Sequence, residues 1–321
     1  MNIFKSLLSF LCAISILFSS AFQADGQNTA AQAREKVLEY NSQEKFLNFS
    51  FITDVHIDGK TNDIRCAKNN LEHFVSVCNE GYCDFAAFGG DAYSAYNATR
   101  SEAYSYASQA LEYFNRIRIP FYATKGNHDR NAKINQEETI TNTQYHLMFH
   151  NRLDRNLVRF NPDDPYGNYF YVDYPVEKVR IIVLNYFDSQ QMQKAGIHDR
   201  QLEWLAGRAL DFQDCGNPCE WTVVFFAHHY KQCGEGFWKT VEQRQTLTGF
   251  STAAFIYGDT HQDQSCVEHG MNMVGVICGY CKPEECGTPS EDSFSIFTID
   301  TKNRRLIETR IGRGKDRIFP F

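Results

Sequence analysis

Pro120-Phe-Tyr-Ala-Thr-Lys-Gly126-Asn127-His128-Asp129 is the stretch on which the fold turns. A run of β-formers empties into a glycine, a carboxamide, an imidazole and a carboxylate. Aromatic and β-branched residues suit a pleated, half-buried strand, and Gly126 lets the chain turn tightly after it. Four more segments share this form. Leu47–Thr53 precedes Asp54-Val-His56, Phe85–Gly89 precedes Gly90-Asp91, Trp221–Ala227 precedes His228-His229, and Ala253–Tyr257 precedes Gly258-Asp259-Thr-His261. Side chains at strand ends meet at one rim of a sheet, so residues between 54 and 261 can share a site. Carboxylates, imidazoles and one carboxamide are the donor set of two adjacent divalent cations. Such a pair suits in-line displacement at phosphorus, because one ion activates water while both hold the phosphoryl oxygens.

The order D-x-H, G-D, G-N-H-D, H, G-x-x-H resembles the calcineurin-like metallophosphoesterase superfamily over roughly residues 46–262. The resemblance implies a four-layer α/β/β/α sandwich and a metal-dependent phosphoesterase with a dinuclear centre. It gives Asp54, His56, Asp91 and His261 to the first metal, with Asp91 bridging, and Asn127 and His228 to the second. It makes His128 a general acid or charge stabiliser rather than a ligand, working beside a water held between the metals. Asp129 would accept a proton from one His128 ring nitrogen and fix its tautomer. Asp54 and His56 face one side if their strand persists, whereas adjacent His228 and His229 should face opposite sides. Only one of those two can then be a ligand, and the resemblance favours His228.

One position departs from the pattern. The family's usual G-H-x-H is here Gly258-Asp259-Thr260-His261, so a carboxylate stands where an imidazole would bind the second metal. Asp259 as a ligand gives a harder site, more tolerant of Mn²⁺ or Mg²⁺ than selective for Zn²⁺, with Fe also in the family's range. The alternative is a weakened second site and a binding protein on a phosphoesterase fold. Asp54-Val-His56 has His where purple acid phosphatases have Gly, and Ser94 stands where they place a metal-binding Tyr. The chain resembles the broad secreted phosphohydrolase group that includes acid sphingomyelinase-like enzymes. His73, His146, His150, His198 and His269 match no motif.

Strand and helix signals alternate from Phe46, and a strand-rich tail follows from Met271, which argues for two packed sheets with helices outside. Residues 46–321 read as one domain and 22–45 as a polar leader that is a short helix or loose. Residues 1–21 read as a signal peptide, with Lys5, the apolar run Leu7–Phe18 and small residues at Ser19-Ser-Ala21. The run is too short to span a bilayer, and no later stretch reaches that length. The expectation is a secreted or periplasmic protein. Ten cysteines remain after Cys12 leaves with the signal, an even set that predicts several disulfides in such a compartment, Cys215 with Cys219 among them. Cys278-Gly-Tyr-Cys281 as half a zinc knuckle is the lesser reading, since no second such pair exists.

The formal charge is −7 over 321 residues, and losing Lys5 makes it −8. No dense basic stripe offsets this; Glu308 and Asp316 dilute the run Arg304–Arg317. Nucleic acid is therefore disfavoured as a partner, leaving a small-molecule, lipid or nucleotide phosphate ester as substrate. Asn48-Phe-Ser50 and Asn97-Ala-Thr99 are glycosylation sequons, the first awkwardly placed in a predicted strand.

Overall fold

The computed structural model describes residues 28–42, 44–57, 64–94, 98–131, 136–188, 195–231 and 233–321. Residues 1–21 lie outside these, and so does Asn97. Thirteen strands are described: β1 Leu47–Ile52, β2 Phe85–Phe88, β3 Phe121–Ala123, β4 Val158–Phe160, β5 Phe170–Tyr174, β6 Val179–Val183, β7 Thr222–Phe226, β8 Ser251–Tyr257, β9 Gln264–Glu268, β10 Met271–Gly275, β11 Ser293–Asp300, β12 Arg305–Gly312 and β13 Arg317–Pro320. They form a six-stranded sheet in the order β13-β12-β11-β1-β2-β3 and a seven-stranded sheet in the order β4-β5-β6-β7-β8-β10-β9. β1, β2 and β3 run parallel, as do β6, β7, β8 and β10, while the flanking strands pair antiparallel. The tail crosses into both sheets, so the segment after His261 is part of the same architecture.

The apolar residues decide the layering. Leu47, Phe49 and Phe51 of β1 alternate inward, and Phe49 stacks on Phe85 (4.7 Å) and Phe297 (5.1 Å) while meeting Phe226 of the other sheet edge-on (5.3 Å). Burying such a ring contributes about 1.5–3 kcal/mol, which makes the intersheet layer the main seam of the fold. On the outer face of the six-stranded sheet lie the helices Ile64–Cys78, Arg100–Phe114 and Asn142–Phe149. On the outer face of the other lie Asp199–Trp204 and Glu235–Thr248, through Trp204, Phe237 and Val241. The result is the four-layer α/β/β/α sandwich. No described helix is long and apolar enough to cross a membrane.

The leader resolves into a helix, Ala30–Tyr40, capped by Thr29 and Gln32 and docked through buried Ala33 and Val37. Asn28 bridges to Ile311 and donates to Arg310 O at 2.7 Å, so this segment is tied to the sheet edge. The edge strands β4, β9 and β13 carried no sequence signal: they are short and partly polar, as edges commonly are. The C-terminal basic run is not a surface patch. Arg310 is fully buried, and Arg317 meets Glu308 at 2.6 Å and Asp263 at 3.6 Å. The Asn48 sequon is also internal: Asn48 is buried in β1 and accepts from Thr298 Oγ1 at 2.7 Å.

The expected disulfides are not formed in this structure. All ten described cysteines stand as free thiols. Five of the sulfurs are held by separate surroundings. Cys215 accepts from Arg180 while Cys219 faces Thr248 O, so the bridge between those two is not formed. Cys233 faces His229 O, Cys266 lies by Tyr230 and Glu268, and Cys278 faces Tyr280 O. The remaining thiols gather in two places, Cys78 with Cys83 near Ser50, and Cys66 with Cys281 and Cys286.

Candidate metal centre

Parallel strands deliver their carboxyl ends to one rim, the usual ligand-binding edge of α/β sheets. Here the rims of both sheets meet. Asp54 N–H donates to Gly90 O (2.9 Å), Gly258 N–H to His228 O (3.1 Å), and His228 Nδ1–H to Gly89 O (2.8 Å) across the seam. That last bond fixes the tautomer and turns the Nε2 lone pair of buried His228 into the cluster.

The residues do not arrive as strand neighbours. β1 ends at Ile52 and β7 at Phe226, so the alternation expected for Asp54/His56 and for His228/His229 does not apply. Instead Asp54, His56, Asp91, Asp259 and His261 all have left-handed backbone, with φ of 53°, 48°, 59°, 62° and 56°. Asp, Asn and His tolerate this region best among residues with a Cβ, and several such residues at one place mark a functional site. His229 also reaches inward: its Nε2 is 3.7 Å from Asp259 Oδ2.

Three trios bring their ligand atoms within 4.8 Å of one another: Asp54, His56 and His261; Asp54, Asp91 and His228; and His56, Asp91 and His128. His56 Nε2 is 3.0 Å from His261 Nε2, 3.7 Å from Asp54 Oδ1 and 3.8 Å from Asp91 Oδ2. His228 Nε2 is 2.8 Å from Asn127 Oδ1, 3.2 Å from Asp259 Oδ1 and 3.5 Å from Asp91 Oδ2. All seven expected ligands therefore meet in one cluster, as two groups sharing Asp91. His128 stands at its edge, Nε2 3.9 Å from Asp91 Oδ2 and its ring edge-on to His56.

Asp129 has a different partner from the one expected. Its carboxylate takes backbone N–H groups from Asp91 (3.0 Å), Ala92 (2.9 Å) and Gly126 (2.8 Å). Through these three donors Asp129 pins the two motif loops to each other. Burial and the Asp91 charge push its pKa up to about 7 against those donors. Sequence reasoning also missed several supporting groups. Ser94 Oγ lies 2.9 Å from His56 Nδ1, leaving Nε2 for the cluster. Thr53 Oγ1 donates to Asp54 Oδ2 (2.5 Å). Tyr280 packs edge-on to His56 and His261, with ring centres at 5.6 and 5.3 Å. Ser94 and Thr53 adjoin motifs and could have been flagged; Tyr280 had no sequence signal.

The electrostatics fit cations. Burial alone would lower the His228 pKa, yet Asp91 and Asp259 raise it far above the ordinary value, and Asp54 raises His261 in the same way. Burial wins at His56, which is lowered, and at His128, pushed down to about 4. Three carboxylates thus draw positive charge into a buried space, and oriented Nε2 lone pairs offer divalent metals a place to supply it.

Glycine makes the approach close enough. A Cβ on Gly126 would lie 2.0 Å from Asp91 Oδ1, and one on Gly258 2.3 Å from Asp54 Oδ2.

A dimetal phosphatase from Danio rerio has the same fold, with a TM-score of 0.63 at 14% identity, covering 87% of this chain and 100% of that one. GAP50, described as the anchor in the inner membrane complex of Plasmodium, matches at a TM-score of 0.47 and 10% identity, over 85% of this chain and 90% of its own. No curated protein sequence matches. The family model for calcineurin-like phosphoesterases matches residues 47–263, a span that opens with β1 and closes just past His261, and the chain belongs to that family.

Proposed function

We propose that the protein hydrolyses phosphate esters at this cluster, with Asp54, His56, Asp91 and His261 holding one divalent cation and Asp91, Asn127, His228 and Asp259 a second. The observation that carries the reading is the meeting of these donors, carboxylates and oriented imidazoles together, with neighbouring ligand atoms 2.8–3.8 Å apart. When bound, the cations would activate water and neutralise the phosphoryl oxygens. The chain's own groups do the rest. His128 projects beside Asp91 and donates to the phosphoryl or leaving oxygen. Asp129 and Gly126 keep the His128 loop against Asp91. Ser94 and Gly89 hold two imidazoles in the metal-ready tautomer. Substrates of the class are small-molecule, lipid or nucleotide phosphate esters, entering past Tyr280.

Chelator-stripped protein should regain hydrolysis of p-nitrophenyl phosphate or bis(p-nitrophenyl) phosphate when Zn²⁺, Mn²⁺, Fe²⁺ or Mg²⁺ is restored. Two bound equivalents with no turnover of either ester would remove the proposal. The second reading, a binding protein with an incomplete second site, rests on Asp259; it predicts one tight equivalent and no turnover. We also propose that residues 1–21 are a secretory leader removed during export to the periplasm or medium. Amino-terminal sequencing of the exported protein tests that.

A further inference from the structure

Outside the metal cluster, three thiols from two distant parts of the chain meet. Cys66, fully buried, lies near the start of the helix Ile64–Cys78; Cys281 and Cys286 lie on the loop between β10 and β11. The reactive atoms of Cys66, Cys286 and Glu291 are all within 4.8 Å of one another, and the Cys281 thiol also rests against that of Cys66. Cys66 Sγ points at Lys282 O (3.8 Å), between its two neighbours. The same loop carries Tyr280 to the metal cluster. Its near end is fixed by Gly279 N–H to Thr53 O (2.6 Å), Tyr280 N–H to Asp54 O (3.2 Å) and Asn70 Nδ2 to Gly279 O (2.5 Å). Beyond Tyr280, the thiols meet the helix together with Glu291, which accepts from Asn69 Nδ2 at 2.6 Å, and Asp292, which lies 2.7 Å from His73 Nδ1.

We propose that Cys66 is the anchor of a disulfide between this helix and the Tyr280 loop, with Cys281 and Cys286 as its two interchangeable partners. Two thiol protons and two electrons pass to a disulfide oxidant such as oxidised glutathione, giving one protein S–S bond and two glutathione thiols. Exchange needs no further oxidant: the free loop thiolate attacks Cys66 Sγ, one S–S bond forms, one breaks, and the displaced cysteine leaves as thiolate. Burial raises the Cys281 thiol to about 11, so exchange through it at neutral pH is slow and the bond behaves as a tether. A tether one residue from Tyr280 through Cys281, or six residues away through Cys286, holds the loop that carries that ring over His56 and His261. Its loss should weaken ester binding while leaving the donors of the cluster in place.

The pairing rests on the geometry of the three thiols; only the effect on catalysis rests on the hydrolase reading, and only the natural oxidant on the export reading. Purified full-length protein is equilibrated in oxidised or reduced glutathione, quenched with an alkylating agent and peptide-mapped without reduction. In the oxidised sample Cys66 should be linked to Cys281 or Cys286. Cys281→Ser should retain a link to Cys286, and Cys286→Ser a link to Cys281. KM for p-nitrophenyl phosphate should rise at least twofold on reduction of the natural protein, and Cys66→Ser or Cys66→Ala should be insensitive to redox buffer. Cys66 alkylated under oxidising conditions overturns the proposal, as does linkage to a single partner in every variant. A zinc equivalent lost only with Cys66 would also overturn it, by making the trio a metal site. A redox-independent KM alongside a mapped link overturns the coupling to Tyr280.

Discussion

Replacing Gly126 with Ala adds one carbon and should cost about two orders of magnitude in turnover. Gly126 has ordinary negative φ, so alanine suits its backbone; the obstacle is Asp91. The new Cβ would lie 2.0 Å from Asp91 Oδ1, 2.3 Å from its N and 2.8 Å from its Cγ. Favourable contact begins near 3.5 Å, so the loop or the carboxylate must move by more than about 1 Å. Asp91 is shared by both halves of the cluster, and its Oδ1 also accepts from His128 N–H at 2.8 Å. A 1 Å misplacement of a reacting group costs roughly 10²-fold, or about 2.7 kcal/mol of barrier. Steady-state kinetics on a chromogenic ester, with metal content and thermal midpoint measured on the same sample, separate a displaced site from an unfolded one. The control is Gly81→Ala, where φ is +85° and nothing lies within 4 Å. That change should lose about 1–2 kcal/mol of stability to left-handed strain and no activity. A Gly126→Ala protein within twofold of the natural rate and fully metallated would refute the reasoning.

His128→Ala should keep its metal content and lose roughly 10²–10⁴-fold in kcat; loss of metal from the variant would make His128 a ligand. Asp259→Ala should lose the second ion and most turnover, while Asp259→His should keep activity and shift preference towards Zn²⁺, both read by metal analysis and add-back kinetics. His146 is buried with Nε2 accepting from Arg155 at 3.0 Å, and burial followed by that guanidinium holds its pKa down to about 4. The folded form therefore binds fewer protons than the unfolded one between about pH 6.5 and 4. Stability should fall with pH across that window, by at most about 1.4 kcal/mol per unit from this group. His146→Gln should flatten the curve of thermal midpoint against pH, and an unchanged slope would show that Arg155 does not hold the ring neutral.

The layering was legible because β2, β7 and β8 carry apolar runs, as expected of strands buried on both faces, and β1 alternates Leu47, Phe49 and Phe51 with Asn48 and Ser50. The cluster was legible because each such run ends in a ligand-type residue. What the sequence hid has a common cause. The side-chain alternation assigned to Asp54, His56 and the two histidines presumes extended backbone, and all four lie just past a strand end. Asp129 was read as a partner of its neighbour, but its position under three backbone N–H groups depends on how the Gly90 and Gly126 loops approach, which is a tertiary fact. The cysteines were counted as an even set. Five of their sulfurs stand apart and five gather in two places, and an even number carries no information on which elements meet.

The left-handed residues also bear on the one departure from the family pattern. Asp54-Val-His56 and Asp259-Thr-His261 have the same D-x-H spacing and the same pair of left-handed φ angles. Their histidines touch at 3.0 Å, and Asp259 N–H donates to Asp54 Oδ2 at 3.0 Å. With Asp at 259, the second motif is a structural copy of the first, facing it across the seam between the sheets. Position 259 thus carries two demands, a ligand atom near His228 and a residue that accepts φ of 62°. Asp, Asn and His meet the second demand, whereas Ala incurs about 1–2 kcal/mol of strain there. Alanine at 259 therefore removes the ligand and loosens the backbone that positions His261. Asp259→Asn separates the two, keeping the backbone and one oxygen while removing the charge. If the carboxylate is what holds the second cation, Asn should lower occupancy with little loss of thermal stability. If Asn instead behaves like the natural protein in both metal content and rate, the carboxylate charge is not what holds the second cation, and an amide oxygen serves at 259 as it does at Asn127.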